Sequence, residues 1–332
     1  MRIHKICLAL FVVPLLLLLL PTSCSKTEYT IIKTTADSAT QIITSGDEMN
    51  INYEFDQAVN EALLATSLSR IAGGDSLAGS VDLFGTISQV TIDTSHINDS
   101  AQIRLSYFGK NADQTKGRTG DITVHFTRDN NGKIIPWKTP GATITLTFTQ
   151  YEVVILANNK SLWMNGTATI TNLSGGLLKK PSGIGLHSSD SLQDRVKGNI
   201  TFTYNDNVTL IQTWTWNMYQ LRTFSMPTTT LTSTIIGDTT VNTSTGVSTS
   251  GTTRFGYVFY TQILSPVVQS ISSSYLLSNP LSGEKAIHGI QEPMQVDYGV
   301  DANGNAVLSG TPYGYKISWI GNGGQAVTVV KY

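Results

Sequence analysis

"ATITLTFT", residues 142–149, places apolar side chains at Ile144, Leu146 and Phe148 and threonine at every second position. Successive side chains of a β-strand point to opposite faces, so this segment has one apolar and one polar face. "GDITVHFT", residues 120–127, repeats the alternation. Such a pattern is typical of antiparallel strands that pack on a core with one face and meet water with the other.

Most segments after residue 80 alternate in the same way, and turns rich in Asn, Asp and Gly separate them, as at 129–132 and 301–304. An earlier segment differs: in "DQAVNEALLATSLSRIAGG", residues 56–74, the apolar residues have helical spacing. It predicts a helix near residues 56–72 with Asp56 as N-cap, after a short strand at Ile51–Phe55. We therefore expect a mostly β fold: an extended antiparallel sheet or sandwich-like assembly with one short N-terminal helix.

The N-terminus has the pattern of an export signal. An apolar core at residues 6–20 follows Arg2 and Lys5, and it is shorter than the roughly 20 residues that cross a bilayer. "LLLLLLPTSCSKTEY", residues 15–29, then ends the apolar run near Cys24. This arrangement predicts a lipoprotein signal peptide at 1–23 and acylation of Cys24. Radioactive palmitate would then be incorporated at that cysteine. An ordinary secretory leader with an incidental cysteine is the alternative.

The rest of the chain divides by composition. Residues 24–49 lack a sustained period and predict a lipidated tether that leads away from the membrane. A β-rich domain follows at 50–332, either as one assembly or as two halves, about 80–175 and 198–332. A Gly- and Ser-rich connection at 174–198 is where two such halves would join.

Composition excludes several classes of function. The two cysteines are Cys7 and Cys24, so the mature body has no disulfide and no thiol chemistry. The whole chain has 22 basic and 23 acidic residues, and loss of Arg2 and Lys5 makes the mature charge more negative. This balance argues against nucleic acid as a partner.

The inventory of catalytic groups is small. The histidines of the mature chain, His96, His125, His187 and His288, have no metal-ligand spacing, so no metal or other cofactor is expected. "LHSSDS", residues 186–191, crowds His, Ser and Asp locally, but a catalytic triad is assembled from separate segments. Residues 301–305, "DANGN", resemble half a calcium loop, although a hairpin turn is the favoured interpretation. We predict no catalytic residues, and a non-enzymatic protein is the favoured interpretation.

The aromatic segment "QTWTWNMYQLRTF", residues 212–224, is the most distinctive of the body. By strand alternation Trp214, Trp216 and Arg222 share one face. Two indoles beside a guanidinium could form a flat platform for sugar rings. Ordinary core filling is the favoured interpretation, and the platform is the alternative.

Several segments together resemble a known family. "GRTGDITVHF" (117–126), "GATITLTFTQYEV" (141–153), "NGTATITNLS" (165–174), "WNMYQLRTF" (216–224) and "VDYGVDANGNAV" (296–307) are similar, in this order, to segments of large uncharacterised lipoproteins of Bacteroidota. The resemblance departs from the family pattern in Phe224, at its last aromatic position, and in the lack of a C-terminal cysteine. It implies an envelope location and a β-rich fold, and it carries no chemistry.

Membership of that phylum would also imply O-glycosylation at a three-residue motif. Its first residue is Asp, its second is the acceptor Ser or Thr, and its third is a small or aliphatic residue or Thr. The motif occurs five times, and ordinary turn or capping roles are an equally good account of half of the matches. The acceptor residues would be Ser38, Ser76, Ser100, Ser191 and Thr239.

Two function classes follow. The first is a lipoprotein anchored in the outer membrane, on its periplasmic or cell-surface face, that serves as a non-enzymatic structural or ligand-binding surface module. The second is a glycan-active hydrolase that uses two carboxylates, or a carbohydrate-binding accessory protein. The expected partners are the membrane, through the N-terminal lipid, and a glycan or an envelope protein.

Overall fold

The computed structural model describes residues 37–68, 90–110, 114–157, 159–178, 191–205, 212–226, 230–240, 246–272, 276–321 and 324–332. These residues belong to one compact unit, 31–332. The described part has a long helix α1, Asp37–Leu68, and a short helix α2, Ile97–Ser100. Its strands are β1 Val90–Asp93, β2 Gln102–Lys110, β3 Lys116–Phe126, β4 Thr143–Ile155, β5 Lys160–Asn172, β6 Ser191–Asn205, β7 Gln212–Ser225, β8 Leu231–Gly237, β9 Val247–Thr252, β10 Val258–Ile271, β11 Ser282–His288, β12 Met294–Val300, β13 Gly314–Gly321 and β14 Gly324–Lys331.

All 14 strands form a single antiparallel sheet. Neighbours in the sheet follow chain order from β1 to β8, then β8 pairs with β10, and the order continues to β14. Strand β9 pairs with both β7 and β10. The mostly β fold with an N-terminal helix, predicted from the sequence, is confirmed.

The strands alternate as their sequences predict. In β3 and β4 the apolar residues Ile122, Val124, Ile144, Leu146 and Phe148 are all buried. The threonines between them lie on the outer face, where neighbouring strands place threonine opposite threonine. One face of the sheet therefore builds the core, and hydroxyl groups cover the other.

Helix α1 supplies the other side of that core. Phe55 is fully buried and stacks on Phe148 of β4, with 5.9 Å between the ring centroids. Strands far apart in the sheet also reach the helix: Tyr107 of β2 and Tyr298 of β12 both hydrogen bond to it. The sheet therefore curves around α1, and no residue from Glu61 to Ser67 is exposed.

The predicted start of the helix was wrong. Ile51–Phe55, predicted as a strand, and Asp56, predicted as an N-cap, lie inside α1, and residues 37–49 of the predicted tether are helical too. A helix enclosed by a sheet needs no one-sided apolar stripe, so the 3.6-residue period is weak over much of its length. Tertiary contacts outweigh the local propensity of "INYEF" here. The predicted residues 69–72 lie outside the described part.

The connection at 174–198 joins neighbouring strands. Strands β5 and β6 pair from Ser161↔Asn205 to Asn172↔Asp194, and β6 already begins at Ser191. The described strands on either side of the connection thus belong to one sheet.

Candidate functional site

Helix α1 carries an unusual number of buried polar side chains. Glu48, Glu54, Asp56 and Glu61 are each 4% exposed or less. A buried carboxylate is costly unless cations or hydrogen-bond donors face it, so the partners of these groups show how the helix is held.

One cluster of partners comes from β2 and β3. Arg118 places Nη1 2.6 Å from Glu61 Oε1 and Nη2 3.4 Å from Glu54 Oε2. Tyr107 donates its hydroxyl to Glu61 Oε2 at 2.7 Å, and Lys116 pairs with Glu54. Burial opposes the guanidinium charge, but the two carboxylates hold the pKa of Arg118 well above its usual value. Burial, with Glu61 beside it, raises the pKa of Tyr107, which stays a donor.

A second cluster comes from the opposite part of the sheet. Lys285 of β11 donates to Glu48 Oε1 at 2.8 Å, and the Tyr298 hydroxyl lies 3.2 Å from Glu48 Oε2. Burial, with the charge of Glu48 next, raises the pKa of Tyr298 well above its usual value. These buried pairs fix the rotation and position of α1 inside the sheet.

The residues of the predicted sugar platform are all buried. Trp214, Trp216 and Arg222 are 5%, 1% and 1% exposed, so an exposed platform on this strand is excluded. The indole of Trp216 donates to the Thr252 carbonyl at 2.8 Å. These three residues do share one face, as predicted, but that face is the inner one.

Arg222 has a specific buried partner. Its Nε and Nη2 lie 2.8 and 2.7 Å from the two carboxylate oxygens of Asp194 on β6, which makes a bidentate ion pair. Its Nη1 lies 3.3 Å from Asn60 Oδ1 of α1. The guanidinium thus ties β6, β7 and α1 together, and it cannot also serve as an exposed ligand contact.

An open pocket of about 90 Å³ lies between the N-terminal half of α1 and strands β3 to β7. Its wall is partly apolar and aromatic, and it also includes charged groups of both signs. The lining residues on which the following argument depends are Asp47, Glu54, Lys116, Tyr204 and Trp214.

Arg254 contacts both aromatic residues of this pocket wall. The guanidinium carbon lies 4.4 Å from the centroid of the Tyr204 ring and 5.8 Å from that of Trp214. Arg254 also forms a bidentate pair with Asp47. Burial raises the pKa of Asp47, and Arg254 offsets part of that effect. The indole N–H of Trp214 is buried and has no hydrogen-bond acceptor among the described residues.

Each of the two carboxylates in the pocket wall is already in an ion pair. Asp47 pairs with Arg254, and Glu54 pairs with Lys116 and Arg118. They are two helical turns apart, about 10 Å along the axis. A general acid and a base or nucleophile for glycoside hydrolysis need a free pair at about 5 to 9 Å. The pocket is therefore better suited to binding than to that chemistry.

The other predicted candidates do not come together. His96 precedes α2, His125 lies on the outer face of β3, and His288 stacks on Tyr260 with 4.8 Å between the centroids. Within the described ranges, no three His, Cys, Asp or Glu side chains could hold a metal ion. Cys24 and the 186–190 segment lie outside the described residues.

The predicted turn at 301–305 is confirmed. Asp301 Oδ1 accepts hydrogen bonds from the backbone N–H groups of Asn303 and Asn305 at 2.8 and 2.9 Å. The backbone N–H of Gly304 donates to the Asp301 carbonyl at 3.0 Å. Hydrogen bonds from Asn305 lower the pKa of the Asp301 carboxyl, as in a hairpin turn.

Three of the five predicted glycosylation acceptors have described surroundings. Ser100, Ser191 and Thr239 are exposed, at helix α2, at the first residue of β6 and in the turn after β8. The Ser100 hydroxyl donates to the His96 carbonyl at 3.4 Å. The side chain of Ser38 and all of Ser76 lie outside the described part.

Sequence reasoning missed the polar face of α1. Asp47, Glu54 and Glu61 are seven residues apart, which is about two turns of a helix. This repeat was a usable signal for one charged face that continues upstream of residue 56. The aromatic residue Tyr204, at the end of a predicted strand, carried no comparable signal.

Comparison with family models, with curated proteins and with solved structures found no match for this chain. The resemblance to the Bacteroidota lipoproteins therefore stays a prediction from the segments quoted above. In the described part, no helix has the length and apolar character needed to cross a membrane.

Proposed function

We propose that this protein is a lipid-anchored lipoprotein of the cell envelope whose body is a non-enzymatic module that binds a small polar ligand. The observation that carries the binding role is the pocket beside Trp214. It combines an aromatic wall with a buried N–H donor that has no acceptor among the described residues. A buried donor of this kind is costly unless an oxygen of a ligand or a water accepts its hydrogen bond.

The ligand class that suits this wall is a glycan. A sugar ring offers C–H groups to an aromatic face and a hydroxyl or ring oxygen to the indole N–H. The paired charges around Asp47 and Glu54 keep the rim polar. The proposed outer-membrane location and acylation of Cys24 are supported by the leader sequence alone. A protein anchored there would encounter a glycan ligand in the cell envelope.

The anchor is tested by metabolic labelling. Radiolabelled palmitate should enter the wild-type chain and the Cys7→Ala variant, because Cys7 lies within the apolar leader. Cys24→Ala should remain unlabelled and leave the membrane fraction. Equal labelling of wild type and Cys24→Ala would contradict the anchor.

The binding role is tested on a glycan array with Trp214→Phe, which keeps an aromatic ring and removes the N–H donor. We expect at least tenfold weaker binding of any glycan that the wild type retains. Trp163→Phe is the matched control, because Trp163 is 40% exposed and its indole pairs with Glu152 outside the pocket. Equal losses in both variants would contradict the assignment, and hydrolysis of a bound glycan would instead support the enzyme class.

A further inference from the structure

A second, smaller cavity lies on the other side of α1. Its volume is about 20 Å³, and α1, β7, β10 and β11 contribute to its wall. The wall includes Asp56, Gln220, Gln269 and Lys285, which are 4%, 3%, 3% and 7% exposed. It is separate from the pocket at Trp214, with which it shares no lining residue.

Three oxygens in this wall have no hydrogen-bond partner among the described residues. They are Asp56 Oδ1, Gln220 Oε1 and Gln269 Oε1. The amide of Gln269 is oriented by its Nε2, which donates to the Ser278 carbonyl at 3.2 Å. The Gln220 side chain hydrogen bonds to the Asp56 carboxyl, so its remaining atom is again an acceptor. The residues that carry these three buried acceptors all line one cavity, and such groups require a partner.

The charges around Asp56 leave its carboxylate uncompensated. Arg222 and Lys285 are the cations that act on it most, and Glu48 is the acidic neighbour. Arg222 is already in a bidentate pair with Asp194, and Lys285 donates to Glu48 at 2.8 Å. Burial raises the pKa of Asp56, because neither neighbouring cation is paired with this carboxyl group.

The size of the cavity and the number of acceptors restrict what can fill it. A space of this size holds about one water molecule or one small ion. One water donates two hydrogen bonds, so it cannot satisfy three acceptors, whereas a cation attracts all of them at once. Ca²⁺ requires six to eight oxygen ligands, and Mg²⁺ keeps several of its bound waters. This cavity has one carboxylate and space for about one water, so it has too few oxygens for Ca²⁺ and too little room for hydrated Mg²⁺.

We propose that the cavity formed by Asp56, Gln220 and Gln269 binds one dehydrated monovalent metal cation of the size of Na⁺. The ion would neutralise the Asp56 carboxylate and satisfy the two amide oxygens. Asn52 and Ser248 also line the cavity, and their oxygens already share hydrogen bonds with Thr249 and Thr261. The bound ion would link α1 to strands β7 and β10.

The first test compares thermal unfolding of the full chain in 100 mM NaCl and in 100 mM choline chloride at pH 7.5. Sodium should raise Tm by about 3 to 6 °C, because an ion that binds only the folded state stabilises it. Asp56→Asn and Gln269→Leu should lose this difference. Asp121→Asn, on the outer face of β3 beside Arg104, is the control and should keep it. Equal Tm values of the wild type in both salts, or an unchanged difference in Asp56→Asn, would overturn the proposal.

The second test does not depend on any variant folding. Crystals of the full chain soaked in a thallium(I) salt should show an anomalous difference peak in the cavity, within about 3 Å of Asp56 Oδ1. Absence of a peak in crystals that carry thallium at other sites would overturn the assignment to a cation and leave ordered water as the occupant.

Discussion

The ion pairs in the interior of this protein join segments that are far apart in the chain. Arg118 connects β3 to α1, and Lys285 connects β11 to the same helix. Asp194 and Arg222 connect two neighbouring strands and reach α1 through Asn60. Buried pairs of this kind add little net stability over apolar packing, but removal of one partner leaves an uncompensated charge. Single substitutions should therefore be severe.

We predict that Arg222→Met lowers the free energy of unfolding by about 3 to 5 kcal/mol, because it leaves Asp194 buried without a cation. The matched control is Arg104→Met, whose partner Asp121 lies on the outer face and whose side chain is 56% exposed. That change should cost at most about 1 kcal/mol. Urea unfolding measures both. A loss below about 1 kcal/mol for Arg222→Met would show that the buried pair is not needed.

At the scale of elements, a bulge in the pairing of β3 with β4 depends on one glycine inside β3. The register shifts between Thr119 and Asp121, and Gly120 has φ 91°. A Cβ atom at Gly120 would lie 2.0 Å from the carbonyl oxygen of Gln150. Both the left-handed backbone and this contact exclude any other residue without a local rearrangement.

Gly120→Ala should therefore destabilise the protein by about 3 kcal/mol or more, since backbone atoms must move apart to admit the methyl group. Gly132 is a suitable comparison: its φ is 77°, but a Cβ there meets nothing within 4 Å. Gly132→Ala should cost only the left-handed conformation, about 1 to 2 kcal/mol. Chemical unfolding distinguishes the two, and equal losses would mean that the close contact with Gln150 relaxes freely.

Strands and helix differed in how well their sequences predicted them. The strands have one core face and one wet face, so an alternating pattern is visible in each sequence segment. Helix α1 is enclosed along most of its length, and residues such as Glu54 and Asn60 are buried because partners from the sheet reach them. Apart from the seven-residue spacing of Asp47, Glu54 and Glu61, no local pattern records the presence of those partners, so residues 37–49 were predicted as tether and 51–55 as a strand.

At the scale of the whole molecule, α1 and the sheet form one folding unit. The helix buries Phe55, Val59 and Leu63 against the sheet, and the sheet in turn places Arg118 and Lys285 against its carboxylates. Neither part can bury these groups without the other. The chain should therefore unfold in a single cooperative transition rather than as a stable sheet with a detachable helix.

A chain of residues 90–332, which lacks α1, should fail to show a cooperative melting transition. A chain of residues 31–332, which keeps the compact unit, should melt like the full-length protein. Circular dichroism with heating distinguishes the two outcomes. A cooperative transition in the chain without α1 would show that the sheet has a sufficient core of its own.

The sequence by itself determined the alternating strands, the division of each into two faces and the turn at Asp301, because these depend on local alternation and turn chemistry. It also placed Trp214, Trp216 and Arg222 on one face. Only the tertiary structure decided that this face is the interior, that β5 and β6 pair as neighbours in one sheet, and that a helix fills the curved sheet. The pocket at Trp214 and the cavity at Asp56 combine residues from four or more elements, and such proximity arises only when long-range strand pairing brings those elements together.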